Sequence, residues 1–173
     1  MKKFVSLLGL SIAAIAATPA AAQSAAPTGG RIEALVGYDV VSFSGADEGG
    51  VLYGIGAGYD FAVGNSVALG IDVEASDSTT DVDIVSTGRD LYAGVRASFP
   101  VSTSANLYLK AGYTNARIKA EDLGGANGDG FRLGAGAQFT ISGKAYVGGE
   151  YRYSNYESDF SRHQFAAVIG TRF

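Results

Sequence analysis

The chain has 173 residues, enough for one domain, and its formal net charge of −4 offers no basic excess for binding nucleic acid. It contains no Cys and one His, so the composition excludes disulfides and thiolate metal sites and disfavours a His-based metal site. With 25 Gly, 10 Tyr and 9 Phe against 3 Pro, it suits many short strands and tight turns better than helices.

The N-terminus has the pattern of a secretory signal peptide. Lys2 and Lys3 are followed by an apolar run over residues 4–17 and then by three alanines at 20–22. The run is too short for a membrane-spanning helix, which needs about 20 residues. We expect cleavage after Ala22, which divides the chain into a signal peptide (1–22), a short flexible leader (23–30) and a β domain (31–173).

Beyond the leader, apolar and polar residues alternate with the period of two that is typical of a β-strand. Eight strands are predicted, at residues 31–41, 51–61, 66–75, 89–99, 105–117, 130–141, 145–156 and 162–173. The connections after the second, fourth and sixth strands are short, and the other four are longer. Short turns at one end and longer loops at the other are typical of an outer-membrane β-barrel, whose short turns face the periplasm.

The positions of the charged residues favour this barrel over a soluble β-sandwich. Of the 17 acids, ten fall in the longer loops, seven fall on the polar strand face, and none falls on the apolar face. The polar face also carries seven bases, whereas several apolar faces begin or end in aromatic residues with Ala, Leu, Ile and Val between them. Aromatic girdles around an apolar band indicate a lipid-facing surface. We therefore predict an all-β fold, an eight-stranded antiparallel up-and-down transmembrane β-barrel in the cell outer membrane.

Two stretches resemble a known family. These are YGIGAGYDF at residues 53–61 and GGEYRY at residues 148–153. Both look like the small outer-membrane β-barrel proteins of Gram-negative bacteria, the OmpA transmembrane-like and Opa/Ail-type porin family. Because the sequence ends at Phe173, we expect no counterpart of the peptidoglycan-binding domain that full-length OmpA carries.

The last predicted strand carries a candidate assembly signal. Phe165, Ile169 and Phe173 share its apolar face, and a final aromatic ring would lie in the interfacial girdle. The family resemblance implies that the barrel-assembly machinery reads this final aromatic residue. We therefore expect that machinery as a partner.

The polar strand face would line a narrow interior. Eight strands leave only enough width for side chains to fill, and buried ions are costly unless they are paired. We predict a lumen charge network that holds the barrel shut, formed by Glu33, Asp39, Asp72, Glu74, Arg96, Lys110, Arg132, Glu150 and Arg152. Five more inward polar residues are expected to bond among them: Tyr92, Tyr108, Thr114, Gln138 and Tyr146. The predicted function is a structural or surface-interaction barrel that contributes to envelope integrity or adhesion, and a small porin-like channel is the alternative.

Enzyme function is the third alternative. Some small barrels resembling this chain act on lipid A with a Ser and a His on the outer surface, and here His163 points outward near Ser161. No complete set of nucleophile, base and orienting group is visible, so we predict no catalytic residue. We predict no cofactor or metal site either, because Asp77, Asp81 and Asp83 lack the spacing of a defined calcium loop.

Three bases at the loop end form a candidate lipopolysaccharide contact. Arg89 and Arg117 share parity with lipid-facing residues, and Lys119 lies just above them. Counting outward from the turn at 100–104 places Arg89 opposite residue 115. Guanidiniums on a lipid-facing rim are suited to the phosphates of the outer leaflet. Alternatively, they extend into water or pair with Asp122 or Asp90. We expect a monomer that contacts outer-membrane lipid and no nucleic acid; the sequence names no surface ligand or host partner.

Overall fold

A computed structural model describes residues 26–43, 46–64, 66–82, 85–120, 124–157 and 160–173. The predicted signal peptide and most of the leader lie outside these residues. The strands are β1 (Gly29–Phe43), β2 (Ala46–Ala62), β3 (Ala68–Ser78), β4 (Asp81–Val82), β5 (Val85–Pro100), β6 (Ala105–Ala120), β7 (Gly124–Ser142), β8 (Ala145–Tyr156) and β9 (Phe160–Arg172). Eight of them form the wall, and β4 is a two-residue extension that pairs with the start of β5.

The eight long strands form a closed antiparallel barrel. Their order is β3-β2-β1-β9-β8-β7-β6-β5, and β3 also pairs with β5, which closes the ring. Closure gives every strand a hydrogen-bonded neighbour on both sides, as a lipid environment requires. The predicted eight-stranded up-and-down barrel is therefore confirmed. No helix in the described part of the chain has the length and apolar character of a membrane span.

The strands are staggered by ten residues around the barrel. Paired residues followed from Val40 through His163 and around the ring return to β1 at Gly30. With a rise of about 3.3 Å per residue and strands about 4.8 Å apart, this stagger tilts the strands by about 40° from the barrel axis. Such a barrel has an interior that side chains fill.

The two faces of the wall have opposite polarity. Burial alternates strictly along β3, where Leu69, Ile71 and Val73 are exposed between buried neighbours. Outward aromatic residues form two girdles, with Tyr59, Phe61, Phe99, Phe139 and Phe173 at the turn end and Tyr38, Tyr53, Tyr113, Phe131, Tyr151 and Phe165 at the loop end. The largest fully buried side chains include five arginines. Charge inside and apolar surface outside is the reverse of a water-soluble protein and suits lipid as the surrounding solvent.

The strands extend further at the loop end than the alternation predicts. β2 begins at Ala46 rather than 51, β5 at Val85 rather than 89, and β7 at Gly124 rather than 130. Backbone pairing continues here through glycine-rich stretches, because ladder hydrogen bonds do not need alternating side chains. One consequence corrects the prediction that no acid lies on the outward face. Asp129 falls within β7 and is exposed there, where the Tyr113 hydroxyl and the Asn115 amide (2.6 Å) donate to it.

Candidate functional site

Three inward tyrosines each lie over the glycine directly across on the neighbouring strand: Tyr108 over Gly136, Tyr146 over Gly170, and Tyr156 over Gly130. A Cβ at Gly136 would overlap the Tyr108 ring, and one at Gly170 would overlap the Tyr146 ring. The missing side chain therefore provides the space in which an aromatic ring lies flat against the wall.

Each of these tyrosines donates its hydroxyl to an interior carboxylate. The oxygen–oxygen distance is 2.6 Å from Tyr108 to Glu150, 2.8 Å from Tyr146 to Glu33 and 2.7 Å from Tyr156 to Asp90. A flat ring thus delivers a donor from the wall to an ionised group, and charge-assisted hydrogen bonds of this kind are stronger than neutral ones.

Six charged side chains form a turn-side cluster, defined as Arg31, Glu33, Asp60, Asp72, Arg96 and Arg172. Arg31 Nη1 lies 2.6 Å from Asp60 Oδ1 and also contacts Asp72. Asp60 Oδ2 accepts from Arg172 Nη1 at 2.7 Å, and Arg96 Nη1 donates to Glu33 at 3.1 Å. Three acids face three bases, so the turn-side cluster is formally neutral.

Eight more form a loop-side cluster, defined as Asp39, Glu74, Asp90, Lys110, Arg132, Glu150, Arg152 and Arg162. Arg152 contacts Glu150, and its Nη1 lies 2.5 Å from Glu74 Oε1. Lys110 Nζ lies 3.1 Å from Glu150. Arg132 contacts Asp90 and Glu74, and Arg162 contacts Asp39 and Asp90. Four acids face four bases, so this cluster is also formally neutral.

Tyr108 joins the two clusters. The Arg96 guanidinium carbon lies 3.6 Å from the centre of the Tyr108 ring, a cation–π contact, while the Tyr108 hydroxyl bonds to Glu150 on the loop side. Paired charges and stacked rings therefore follow one another along the length of the described interior.

The interior charges are segregated by strand. Six of the seven interior acids in the described strands lie on β1, β2, β3 and β5, and five of the seven bases lie on β6 to β9. Most ion pairs consequently cross the lumen or a seam between strands far apart in sequence, such as Arg162 with Asp39.

The structure places all nine residues of the predicted lumen network inside the barrel, with ion-pair partners for each. One expectation is wrong: the Tyr92 hydroxyl has no hydrogen-bond partner among the described residues. Its ring instead faces two cations, Lys110 Nζ at 4.9 Å and Arg132 at 5.5 Å from the ring centre. The predicted interior network did not include Tyr156, although this residue shares the inward parity of Glu150. In the structure it lies across from Gly130.

Arg89 and Arg117 lie on the outward face, both exposed, but their predicted pairing is wrong. Thr87 pairs with Ile118 and Asp90 with Ala116, so Gly88 and Arg89 together face Arg117 at a β-bulge. The predicted pairing is wrong because Pro100 pairs with Asn106, so the turn is centred one residue later than expected from the sequence. Each residue of β5 therefore pairs with a β6 residue two positions later than predicted. The backbone of Lys119 pairs with Ser86. The Lys119 side chain is outside the described part of the structure, and so is Asp122.

His163 also lies on the outward face of β9. Its Nδ1 lies 2.7 Å from the Tyr151 hydroxyl, and its ring packs 5.1 Å from the ring of Tyr153. No carboxylate bonds to His163 among the described residues, and no group of three or more potential metal ligands occurs among them. Phe165, Ile169 and Phe173, the predicted assembly signal, are exposed on the same face, and recognition by the assembly machinery stays a prediction.

The sequence matches the family described as outer membrane protein beta-barrel domain over residues 8–173. The chain belongs to this family of outer-membrane β-barrel proteins. The predicted resemblance and outer-membrane location are thereby confirmed. The match begins inside the predicted signal peptide, so the cleavage site stays a prediction.

Solved outer-membrane barrels have the same fold. Neisserial surface protein A, NspA, is 16% identical with a TM-score of 0.65, over 84% of this chain and 98% of that chain. Ail, the attachment invasion locus protein of Yersinia pestis, in complex with the heparin analogue sucrose octasulfate, is 17% identical with a TM-score of 0.62, over 84% and 99%. The outer membrane enzyme PagL is 15% identical with a TM-score of 0.51, over 83% and 99%. No curated protein matches the sequence.

Proposed function

We propose that this outer-membrane barrel is a structural and surface-interaction protein whose lumen is closed by its own ion pairs, contributing to envelope integrity or adhesion. The observation that carries the proposal is the content of the described interior. Seven acids and seven bases meet there in two neutral clusters, joined by the stack of Arg96 on Tyr108. An eight-stranded barrel has no width left for a pore once such side chains fill it.

The energetics favour a closed lumen over a conducting one. A permeating ion would have to separate pairs such as Arg152 with Glu74, both nearly fully buried, and no bulk water would compensate the separated charges. Pairs in a low-dielectric interior are also weakly screened, so raising the salt concentration should not open the lumen.

Conductance in planar lipid bilayers tests this proposal. The refolded wild-type barrel should show no steady, reproducible openings in about 1 M potassium chloride, where the Debye screening length is about 3 Å. A variant with both Arg152 and Glu74 changed to alanine removes a central pair and serves as the positive control for an opened lumen. Steady openings in the wild type would contradict the closed lumen.

A small channel is the second candidate, and one observation favours it. The side-chain amide of Gln164 is buried with no hydrogen-bond partner among the described residues, as are the hydroxyls of Tyr92 and Ser98. Unbonded buried polar groups are typical of interior space that polar solvent or ions reach. The bilayer experiment decides between the two candidates, because conductance belongs to the channel alone.

The surface-interaction part of the proposal is constrained by the charge of the loops. Ten acids and the single base Lys119 fall in the four segments that the sequence predicts as longer connections, which favours a basic partner and disfavours a sulfated polysaccharide. Ail has been solved in complex with a heparin analogue, whereas we expect this chain not to bind heparin. We expect the refolded barrel to pass through a heparin column at low salt without delay. Retention that salt reverses would show that the acidic loops do not control binding.

A further inference from the structure

Two outward arginines are held against each other at the loop end of the barrel. Arg89 and Arg117 face each other across the β-bulge between β5 and β6, and both are exposed. Like charges directly opposite each other on neighbouring strands destabilise a sheet unless an anion compensates them. An anion bound between the two guanidiniums would therefore stabilise this part of the sheet.

The described acids near this pair are engaged elsewhere. Asp90 points inward and bonds to Arg132 and Arg162. Asp129 accepts hydrogen bonds from Tyr113 and Asn115. Asp77 lies on the outward face of β3 beside Arg89, one residue beyond the pairing of Ser76 with Asp90, but it forms no ion pair with a described residue, and its carboxylate accepts the backbone N–H of Ser78 at 2.8 Å. Neither arginine thus has an acidic partner in the described part of the chain.

An apolar cleft lies directly below the arginines on the lipid-facing surface. It has a volume of about 780 Å³ and its outward lining includes Ile55, Ala57, Ala75, Leu91, Ala93 and Tyr113. Leu91 follows Arg89 by two residues on β5, and Asn115, at the edge of the cleft, precedes Arg117 by two on β6. Two residues of strand span about 7 Å, so the cleft begins within one side-chain length of the guanidiniums. Alanines on three neighbouring strands form the depression, because larger residues surround them.

We propose that the arginine pair and the cleft form a binding site for one lipopolysaccharide molecule. Its lipid A phosphate would lie between Arg89 and Arg117, since guanidinium binds phosphate through two parallel hydrogen bonds. One acyl chain would occupy the alanine-lined cleft. The site goes beyond the proposed function and depends on the outer-membrane location, not on whether the lumen is closed.

Binding of purified lipid A to the refolded barrel tests the site. Lipid A should raise the Tm of the wild type, and Arg89→Ala/Arg117→Ala should weaken the apparent affinity at least tenfold. Arg89→Lys/Arg117→Lys keeps the charge but loses the two parallel hydrogen bonds, so its affinity should lie between the two. Lys144→Ala, which removes an exposed base at the turn end, is the matched control and should bind like the wild type.

Two further arms separate the lipid from its phosphate. Dephosphorylated lipid A and inorganic phosphate should each raise the Tm of the wild type clearly less than intact lipid A. Ala93→Phe fills the cleft without touching the arginines and should weaken lipid A binding, which keeps the test informative if the alanine double variant fails to fold. Equal affinity of wild type and double variant, full protection by inorganic phosphate, or unchanged binding by Ala93→Phe would each overturn the proposal.

Discussion

Arg132 illustrates what a single interior residue contributes to the barrel. Its Nε donates to Ser154 at 2.8 Å, and its guanidinium contacts Asp90 and lies 3.4 Å from Glu74. The side chain is fully buried, so its charge is stabilised by these partners rather than by bulk water. Loss of this residue would leave two carboxylates short of compensation.

Arg132→Met is therefore expected to lower the free energy of unfolding by about 3–5 kcal/mol, the usual cost of breaking a buried ion pair. Adding Asp90→Asn removes the carboxylate that was left uncompensated, so the double variant should lose less than the sum of the two single changes. Urea unfolding of each variant in lipid vesicles measures both quantities. Additive losses would show that Asp90 and Arg132 are not energetically coupled.

At the residue scale, the sequence predicted which side chains point into the barrel, but it did not predict which of them form ion pairs with each other. Period-two alternation is sufficient to place Arg132 inward, because successive side chains point to opposite faces. Arg96 on β5 pairs with Glu33 on β1 across the lumen, and that choice depends on the ten-residue stagger of the closed ring. Stagger is a property of the closed barrel, so no local pattern encodes it directly.

At the scale of elements, the strands fit together through pairs of large and small inward residues. A tyrosine on one strand lies over a glycine on the next at three places, and each tyrosine also reaches a carboxylate. The glycines are thus part of the interior packing and not breaks in the strands.

Gly136→Ala tests this packing. Its Cβ would meet the Tyr108 ring and would lie 2.7 Å from the carbonyl oxygen of Gly149, so the tyrosine must move away from Glu150. Overpacking of this kind costs about 1–3 kcal/mol. Gly149→Ala is the matched control, because a Cβ there meets nothing within 4 Å, and its stability should stay near that of the wild type. The same urea titration compares them, and equal stabilities would argue against the packing role.

Strand existence was predictable, and strand ends were less so. All eight wall strands follow from alternation, since lipid outside and charge inside enforce the pattern wherever the chain crosses the membrane. Above the membrane that constraint ends while hydrogen bonding continues, so β7 begins at Gly124 within a predicted loop. The β-bulge at Arg89 was unpredictable for a related reason, because no side-chain pattern marks the extra residue.

On the scale of the whole molecule, the three connections predicted to be short turns lie at one end of the barrel, and β2, β5 and β7 extend beyond their predicted starts at the other end. The turn after Pro100 lies at the first end, and Glu157 is exposed at the opposite end. Barrels of this kind place their short turns in the periplasm.

Cysteine labelling in intact cells checks this orientation, and the chain is suited to it because it has no native Cys. A membrane-impermeant maleimide should label Glu157→Cys in intact cells. Ser102→Cys, in a short turn, should be labelled only after the outer membrane is permeabilised. Labelling of Ser102→Cys in intact cells would reverse the assigned orientation.

The separation of interior charges by strand bears on how a chain recognises itself during assembly. The first half of the barrel wall presents an acidic inner surface and the second half a basic one. Within one chain the halves attract each other, whereas equivalent halves of two chains repel. Incomplete barrels that meet through equivalent halves therefore gain nothing electrostatically. Charge order along the sequence would thus act as a sorting rule against the pairing of like halves in a crowded periplasm.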